Sequence, residues 1–192
     1  EDSQLRLSEG TYLNDTSEGR EFFKTLNYHK PVEENNDTLA ELFSPRPFIG
    51  SFVAESKHDD LALWRMYGKE GKEEAKGCAL TIRMDMLLES LKKKKESEEK
   101  GVRSNIIGDF SFYRVAYKRS TDGSFIIPGL DNKFEMALNT YIKELSEKLA
   151  TLNPSKSKVL YEMQHIQEAL NEIAYLFKSG EYQYENEVRL VV

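Results

Sequence analysis

Two long stretches in the second half of the chain carry apolar residues at the three-and-four spacing of amphipathic helices. The first stretch runs over residues 134–152 and the second over residues 159–177. An α-helix completes one turn in about 3.6 residues, so this spacing places the apolar side chains of each stretch on one face. Because residues 153–155 form only a short connection, we expect the two helices to pack as an antiparallel hairpin over about residues 131–178.

Shorter segments have the patterns of β-strands. Residues 5–8 and 182–192 alternate apolar and polar side chains, which is typical of strands with one solvated face. Residues 48–54 are apolar on both faces and predict a central strand. Residues 77–82 and 110–117 are further predicted strands.

Helices separate the predicted strands, but not in the regular βαβ order of a parallel sheet. Asp59 or Asp60 caps a predicted helix that Gly68 ends, and further helices are predicted over residues 38–43 and 84–95. No glycine-rich loop joins a strand to a helix in the sequence. We therefore predict an α+β fold with a mixed or antiparallel central sheet, covered by helices and carrying a long C-terminal helical hairpin.

The length and composition fit a single domain. A chain of 192 residues is of the size of one domain, and its 10 Phe and 10 Tyr residues argue against intrinsic disorder. We assign one α+β domain to residues 1–192, with the helical hairpin as an insertion. The chain begins with Glu1 and ends in a strand-like run, so we expect it to be a fragment of a longer protein.

The charge and the cysteine content predict a cytoplasmic protein. The formal net charge of −6 disfavours generic binding to nucleic acid or to an anionic membrane, because both partners need a positive protein surface. No apolar run in the sequence approaches the roughly 20 residues of a membrane-spanning helix. The single cysteine, Cys78, excludes an internal disulfide and fits a reducing compartment. It lies in an apolar strand-like run, so we predict a buried and unreactive thiol.

Several familiar catalytic motifs are missing from the sequence. It contains neither the glycine-rich phosphate loop that ends in Gly-Lys nor the Gly-x-Ser-x-Gly elbow of hydrolases. None of the three histidines has the spacing of a metal ligand, so we predict no structural metal. A metal-dependent nuclease that uses Glu55, Asp59 and Asp60 is kept as a third functional hypothesis.

Charged side chains of the last predicted strand are the main candidates for a functional site. Side chains two residues apart in a strand share a face, so Glu185, Glu187 and Arg189 are expected to project side by side. This face is either a solvated surface, on which Arg189 pairs with a carboxylate, or the floor of a cleft, where a carboxylate orients a polar substrate. Arg6 on the first strand and Ser51 on the central strand leave the same choice open between a structural position and a ligand site.

Three blocks of the sequence resemble one bacterial family. They are residues 5–8 with 12–19, residues 51–52 with 59–68, and residues 177–190. The middle block contains Trp-Arg-Met-Tyr-Gly, and the last contains the pattern Glu-x-Glu-x-Arg-Leu. Together they resemble the uncharacterised domain-of-unknown-function family DUF2971. The chain departs from that family at Val53-Ala54, where the family more often continues Ser-Glu, so the chain lacks a second central-strand serine there.

The end of the last block is also similar to ADP-ribosyltransferase-like domains. Residues 185–188 resemble their Glu-x-Glu-Val ending, and those domains use a basic residue on an early strand and a serine on a middle strand. The resemblance implies that Glu187 is the catalytic carboxylate and that Glu185 guides the acceptor nucleophile. It also implies NAD-binding roles for Arg6, Ser51 and Arg189.

Two main functional hypotheses follow from these observations. The resemblance implies an NAD-consuming, ADP-ribosyltransferase-like domain of an intracellular bacterial toxin or defence protein. In such chemistry a carboxylate that holds a ribose hydroxyl stabilises the oxocarbenium character that develops as nicotinamide leaves. The alternative is a non-catalytic sensing or interaction module whose protein partner docks on the helical hairpin. The acceptor and the oligomeric state are left open.

Overall fold

A computed structural model of the chain describes six stretches of the sequence. These stretches are residues 5–13, 18–27, 47–74, 76–99, 109–152 and 157–192. The helix predicted over residues 38–43 lies outside the described residues.

Short strands alternate irregularly with helices along the described stretches. The strands are β1 (Ser8–Glu9), β2 (Phe48–Val53), β3 (Ser111–Arg114), β4 (Ala116–Lys118), β5 (Phe125–Ile126), β6 (Phe177–Ser179) and β7 (Glu187–Val191). The α-helices are α1 (Glu21–Thr25), α2 (Leu61–Tyr67), α3 (Met84–Glu99), α4 (Asn132–Ala150) and α5 (Ser157–Ala174). Short 3₁₀ helices span Gly10–Tyr12, Glu55–Lys57 and Gly180–Glu185.

The strands form two sheets of different kinds. The first sheet has the order β1-β2-β7-β3 and is antiparallel throughout. The second has the order β5-β4-β6, in which β4 is antiparallel to β5 and parallel to β6. This arrangement confirms the predicted α+β class with mixed and antiparallel sheets. It also places the last strand, β7, inside the first sheet, between β2 and β3.

The register of the first sheet separates a charged face from an aromatic face. Ser51 lies opposite Arg189, and Val53 lies opposite Glu187. Opposed residues of antiparallel strands point to the same side, so Ser51, Glu187 and Arg189 share one face, which we call the charged face. The other face carries Phe52 and Phe112, whose rings meet edge to face with centroids 5.6 Å apart.

The main hydrophobic core lies against the second sheet. The ring of Phe177 on β6 stacks on Phe22 of α1 at 4.2 Å and meets Phe125 of β5 edge to face at 4.9 Å. The amphipathic faces of α4 and α5 cover the same cluster with Ile142, Leu149, Leu170 and Ala174. Burial against one core therefore explains part of the apolar spacing of the two helices, whereas Phe134 and Tyr141 of α4 are exposed.

The predicted long C-terminal helical hairpin is not found. Helices α4 and α5 form close to the predicted positions, but the chain continues beyond them into β6 and β7, so its last elements are strands. The predicted second helix also ran too far, because Phe177 is in phase with the apolar face yet belongs to β6. Its backbone position is set by pairing with Ala116 of β4, which helical spacing cannot reveal.

Residues 77–82 do not form the predicted strand. They belong to no helix or strand, and their side chains are exposed, with Leu80 83% exposed. Cys78 is exposed as well, so the prediction of a buried thiol is wrong. Residues 77–82 have the composition of a strand, but no strand in the described part of the chain pairs with them.

Helix α2 begins and ends at the residues that the sequence predicts. The Asp60 side chain accepts a hydrogen bond from the backbone N–H of Ala62 at 2.9 Å, and Gly68 ends the helix. The same carboxylate pairs with Lys57 at 2.8 Å. Asp60 is therefore occupied as a helix cap.

Among the described residues, no helix combines the length and the apolar character that crossing a membrane requires.

Candidate functional site

Five charged side chains meet in the interior between the two sheets. We call them the buried charge cluster, and they are Glu18, Lys178, Glu185, Glu187 and Arg189. Each of these side chains is at most 6% exposed. Charged groups are almost never buried to this degree unless they are paired, so the contacts within the cluster decide its properties.

Elements from distant parts of the chain supply the cluster. Glu187 and Arg189 come from β7 of the first sheet, and Lys178 comes from β6 of the second. Glu185 is the last residue of the 3₁₀ helix before β7, and Glu18 precedes α1. The cluster therefore joins the two sheets to the first helix through charge contacts.

Glu185 reaches the cluster through a turn and not through strand alternation. Asn186, between Glu185 and β7, has a left-handed backbone with φ 46°. Asparagine is one of the few residues that adopt this conformation readily. The prediction that Glu185, Glu187 and Arg189 line one strand is therefore correct only for Glu187 and Arg189.

Arg189 binds Glu187 through a two-pronged contact. Its Nε donates to Glu187 Oε1 at 2.7 Å, and its Nη2 donates to Oε2 of the same carboxylate at 3.0 Å. Its Nη1 donates to the backbone carbonyl of Tyr175, and its Nη2 lies 2.5 Å from Glu18 Oε2. Arginine–carboxylate forks of this kind fix both partners in orientation as well as charge.

Lys178 is the second cation of the cluster and contacts all three carboxylates. Its Nζ lies 2.7 Å from Glu185, 3.3 Å from Glu187 and 3.3 Å from Glu18. The ammonium group also lies 4.5 Å from the ring centroid of Tyr182, within the range of a cation–π contact. The surrounding carboxylates raise the pKa of Lys178 although its burial opposes this, so Lys178 stays charged.

The pKa values of Glu187 and Glu18 are shifted in opposite directions. Burial alone would raise the pKa of Glu187, but the charge and hydrogen bonds of Arg189, together with Lys178 and Ser51, lower it below the ordinary value. For Glu18 burial prevails over the attraction of Arg189 and Lys178, and its pKa is raised. At neutral pH Glu187 is therefore held as a carboxylate, and Glu18 is the group of the pair that protonates more readily.

Two tyrosines connect the cluster to the rest of the fold. Tyr67 of α2 donates its hydroxyl to Glu185 Oε1 at 2.8 Å. The hydroxyl oxygen of Tyr117, on β4, accepts a hydrogen bond from the backbone N–H of Glu187 at 2.8 Å. The pKa of each tyrosine is raised, chiefly by burial, so both remain neutral at physiological pH.

Ser51 lies at the border between the cluster and the surface. It is exposed on β2, and its side chain helps to lower the pKa of the Glu187 carboxylate on the neighbouring strand. The sequence predicted that Ser51 and Glu187 belong together, and the structure brings them into contact. It also excludes the solvated surface proposed for the last strand, because Glu187 and Arg189 are 5% and 1% exposed.

Arg6 stands apart from the cluster. It is exposed, lies two residues before β1, and forms no ion pair with any described residue. The side chain of Leu7 packs over Gly50, with Leu7 Cδ2 2.8 Å from the point where a Cβ on Gly50 would lie. Gly50 belongs to the aromatic face, so alternation along the chain places Arg6 toward the charged face, next to Ser51.

Sequence reasoning missed two members of the cluster. Lys178 lies at the end of the predicted helical hairpin, and Glu18 lies in a block of the family resemblance in which no residue is given a role. Alternation around Phe177 would be a signal for Lys178, but Lys178 and Ser179 are both polar, so the segment shows none. No such signal marks Glu18, because its role depends on contacts with the far end of the chain.

Other places on the molecule offer less to a ligand. An open hollow of about 340 Å³ lies away from the cluster and is bordered by Ser124, Asn139, Lys143 and Ser146 among other residues. The side chain of Asn139 is already bonded to the backbone of Phe125 at 2.7 and 2.8 Å. Within the described part of the chain, no three His, Cys, Asp or Glu side chains are arranged to hold a metal ion.

Comparison with known proteins places the chain in a family. A family model described as "Protein of unknown function (DUF2971)" matches residues 63–190. No curated protein and no solved structure matches the chain. The matched region contains Lys178, Glu185, Glu187 and Arg189, and it leaves out Glu18 and Ser51. Since the match covers more than half of the sequence, the chain belongs to the DUF2971 family of proteins of unknown function.

Proposed function

We propose that the chain is an ADP-ribosyltransferase-like domain that consumes NAD, with Glu187 as the carboxylate that holds the ribose. The observation that carries this proposal is the register of the first sheet, which places Ser51 on β2 and Glu187 on the adjacent strand β7 on the same face. It joins two of the three residue types that the sequence resemblance singled out. The third, Arg6, lies just before β1, which is the other neighbour of β2.

The electrostatics of Glu187 suit the proposed role. When the bond between nicotinamide and ribose breaks, its electron pair leaves with the nicotinamide nitrogen and positive charge develops on the ribose. A fixed carboxylate stabilises that charge better than it stabilises the ground state. The lowered pKa of Glu187 keeps the carboxylate ionised, and the Arg189 fork fixes its orientation. The ribose carbon then bonds to an acceptor nucleophile or to water, which loses a proton.

Access to Glu187 requires movement of the segment that carries Glu18. The Glu187 side chain is 5% exposed, and Glu18 lies against both Lys178 and Arg189. Glu18 thus occupies the position from which the two cations could meet an anionic part of NAD, such as its phosphates. In the proposed reaction the dinucleotide displaces the Glu18 carboxylate. Arg6 and Ser51, which are both exposed to solvent, contact the bound dinucleotide.

The test is NAD turnover, followed as nicotinamide release by the chain and three variants. We expect Glu187→Gln to lower turnover by at least about 100-fold, because the amide cannot stabilise positive charge in the same way. Ser51→Ala is expected to lower turnover by a smaller factor of about 10, because it removes a polar neighbour of the carboxylate. Glu89→Gln, an exposed substitution on α3, is the matched control and should leave turnover unchanged.

The same experiment separates a failed reaction from a failed fold. Melting temperatures of all variants are measured, and Ser51→Ala keeps the proposal testable if Glu187→Gln unfolds the protein. Equal turnover by the parent chain and the folded variants would contradict the proposal, as would an absence of turnover by the parent chain with water or with added nucleophiles.

A non-catalytic interaction module is the second candidate, favoured by exposed apolar side chains on α4. Phe134 is 53% exposed and Tyr141 is 69% exposed. They are seven residues apart, about two helical turns, so they lie on the same side of the helix. Large exposed aromatic residues on one side of a helix are typical of surfaces that bind partners. If NAD is not consumed, substitution of both residues by Asp is expected to abolish binding of a purified partner without changing the melting temperature.

A further inference from the structure

The segment of residues 78–82, which we call the open segment, has the composition of a strand but no strand beside it. Its backbone makes no hydrogen bond to any other residue in the described part of the chain. Leu80 is 83% exposed and Ile82 is 46% exposed. An uncharged, strand-forming segment with unpaired backbone groups is a template for pairing with another strand.

Both ends of the open segment are fixed to helices. At its start, the N–H groups of Lys76 and Gly77 donate to the carbonyl of Gly68 at 2.8 and 3.1 Å, at the end of α2. A Cβ on Gly77 would lie only 2.6 Å from the Gly68 Cα, so the two backbones are in close contact. At its end, the carbonyl of Arg83 accepts from Leu87 in the first turn of α3. Fixed ends reduce the entropy that the segment loses when a partner orders it.

We infer that two copies of the chain pair through their open segments as antiparallel strands, about a two-fold axis at Leu80. In this register Cys78 lies opposite Ile82 of the second copy, and Leu80 lies opposite Leu80. Alternation places all three apolar side chains on one face of the pair, where they cover each other. The segment is thus complementary to itself, which is the requirement for a two-fold interface.

The charges around the open segment favour a second copy over an oppositely charged partner. Residues 69–85 contain four basic and four acidic side chains, although the whole chain has a net charge of −6. Two copies therefore meet at a locally neutral surface and avoid the repulsion that the rest of the molecule would produce. Met84, the first residue of α3, is 52% exposed and lies two residues after the open segment. The interface is small, so we expect a weak but specific complex with a dissociation constant in the micromolar range.

The first test measures mass by sedimentation velocity over a range of micromolar concentrations. The parent chain is expected to form dimers as its concentration rises. Leu80→Lys places two like charges face to face on the axis, and Thr81→Pro removes a backbone donor, so each should leave a monomer. Tyr12→Lys, at a side chain that is 78% exposed elsewhere on the chain, is the matched control and should dimerise as the parent does.

The second test fixes the register by mild oxidation. Residues directly opposite each other in antiparallel strands have Cα atoms about 4.5–5.5 Å apart, which suits a disulfide. Leu80→Cys in a Cys78→Ser background should therefore give a covalent dimer. Ile82→Cys should cross-link only when Cys78 is retained, because residues 78 and 82 face each other across the axis. The parent chain should not cross-link, since its two Cys78 residues lie about 13 Å apart.

Three outcomes would overturn the inference. They are a parent chain that stays monomeric at every concentration, a dimer that survives Leu80→Lys and Thr81→Pro, and cross-linking of the parent chain through Cys78 alone. None of these measurements depends on NAD turnover, so the inference and the proposed function can fail independently.

Discussion

Three carboxylates surround two cations in the buried charge cluster, so one negative charge has no counter-charge of its own. Glu187 and Glu185 each accept a hydrogen bond from one of the cations at 2.7 Å. Glu18 shares Arg189 and Lys178 with them, and burial raises its pKa. The excess charge of the cluster is therefore concentrated on Glu18, the residue that the proposed substrate would replace.

Glu18→Gln should make the fold more stable at and above neutral pH. The pKa of Glu18 is higher in the folded state than its ordinary value of 4.5, so the folded protein binds the proton more tightly than the unfolded chain. This contribution to stability is present in full below 4.5 and is lost as the pH rises through the raised pKa. The variant lacks this loss, so its advantage over the parent should be largest at high pH and should shrink as the pH falls toward 4.5.

Urea unfolding of both proteins over a pH series measures the difference directly. Glu144→Gln, at an exposed position on α4, serves as the control for the loss of one negative charge. A Glu18→Gln protein that is less stable than the parent at high pH would show that its ion pairs outweigh burial.

At the scale of elements, the connection from β6 to β7 is the part of the fold that sets the geometry of the cluster. β6 supplies Lys178, the 3₁₀ helix Gly180–Glu185 supplies Glu185, and β7 supplies Glu187. Ser179 caps the 3₁₀ helix, and Gly180 follows directly beside β4. Small changes in this connection should therefore affect all three charged residues.

Gly180→Ala is expected to destabilise the fold by about 3 kcal/mol, the upper end of the usual cost of overpacking. A Cβ at this position would lie 2.2 Å from the backbone carbonyl oxygen of Lys118, which belongs to β4 and cannot rotate away. Gly71→Ala is the matched control, because nothing lies within 4 Å of its Cβ and only its φ of 60° is unfavourable for alanine. It should cost about 1 kcal/mol. The urea midpoints of the two variants are compared. An equal loss of stability would show that β4 moves to accommodate the new methyl group, and would contradict the prediction.

Much of the fold was visible in the sequence where periodicity or capping acts locally. The apolar faces of α4 and α5, the Asp60 cap of α2 and the central strand β2 each depend on neighbouring residues, and each is present. The predictions are wrong where strand pairing determines the local structure. Phe177 continues a helical pattern but is held by β4, and residues 77–82 suit a strand that no described neighbour completes.

The candidate site could be predicted only in part for the same reason. Strand alternation correctly placed Glu187 and Arg189 on one face, and the contact of Ser51 with Glu187 was expected from resemblance. The burial of these groups was not expected, because a charged side chain enters the interior only when its partners do. Those partners, Lys178 and Glu18, come from elements that are distant in sequence.

At the scale of the whole molecule, the buried residue Val115 and the charge cluster are among the links between the two sheets. Val115, 1% exposed, connects β3 of the first sheet to β4 of the second. Its N–H donates to the Glu187 carbonyl at 3.1 Å, while the N–H of Ala116 donates to Leu176 at 2.8 Å. Val115 therefore hydrogen-bonds to the first sheet, and the next residue, Ala116, hydrogen-bonds to the residue before β6 of the second sheet.

Because Lys178 belongs to one sheet and Arg189 to the other, we expect the two sheets to unfold together. Lys178→Met leaves three carboxylates around one cation, and removing one partner of a buried ion pair costs about 3–5 kcal/mol. Native-state hydrogen exchange should then show the same loss of protection at the amides of β4 and at those of β7, because both belong to one cooperative unit. Lys143→Met, whose side chain is 78% exposed and lies 3.9 Å from Glu147, is the control and should change neither set. If Lys178→Met lowered protection in β4 alone, the cluster would stabilise only the sheet that carries the lysine, and the charges of β7 would be held by the first sheet on its own.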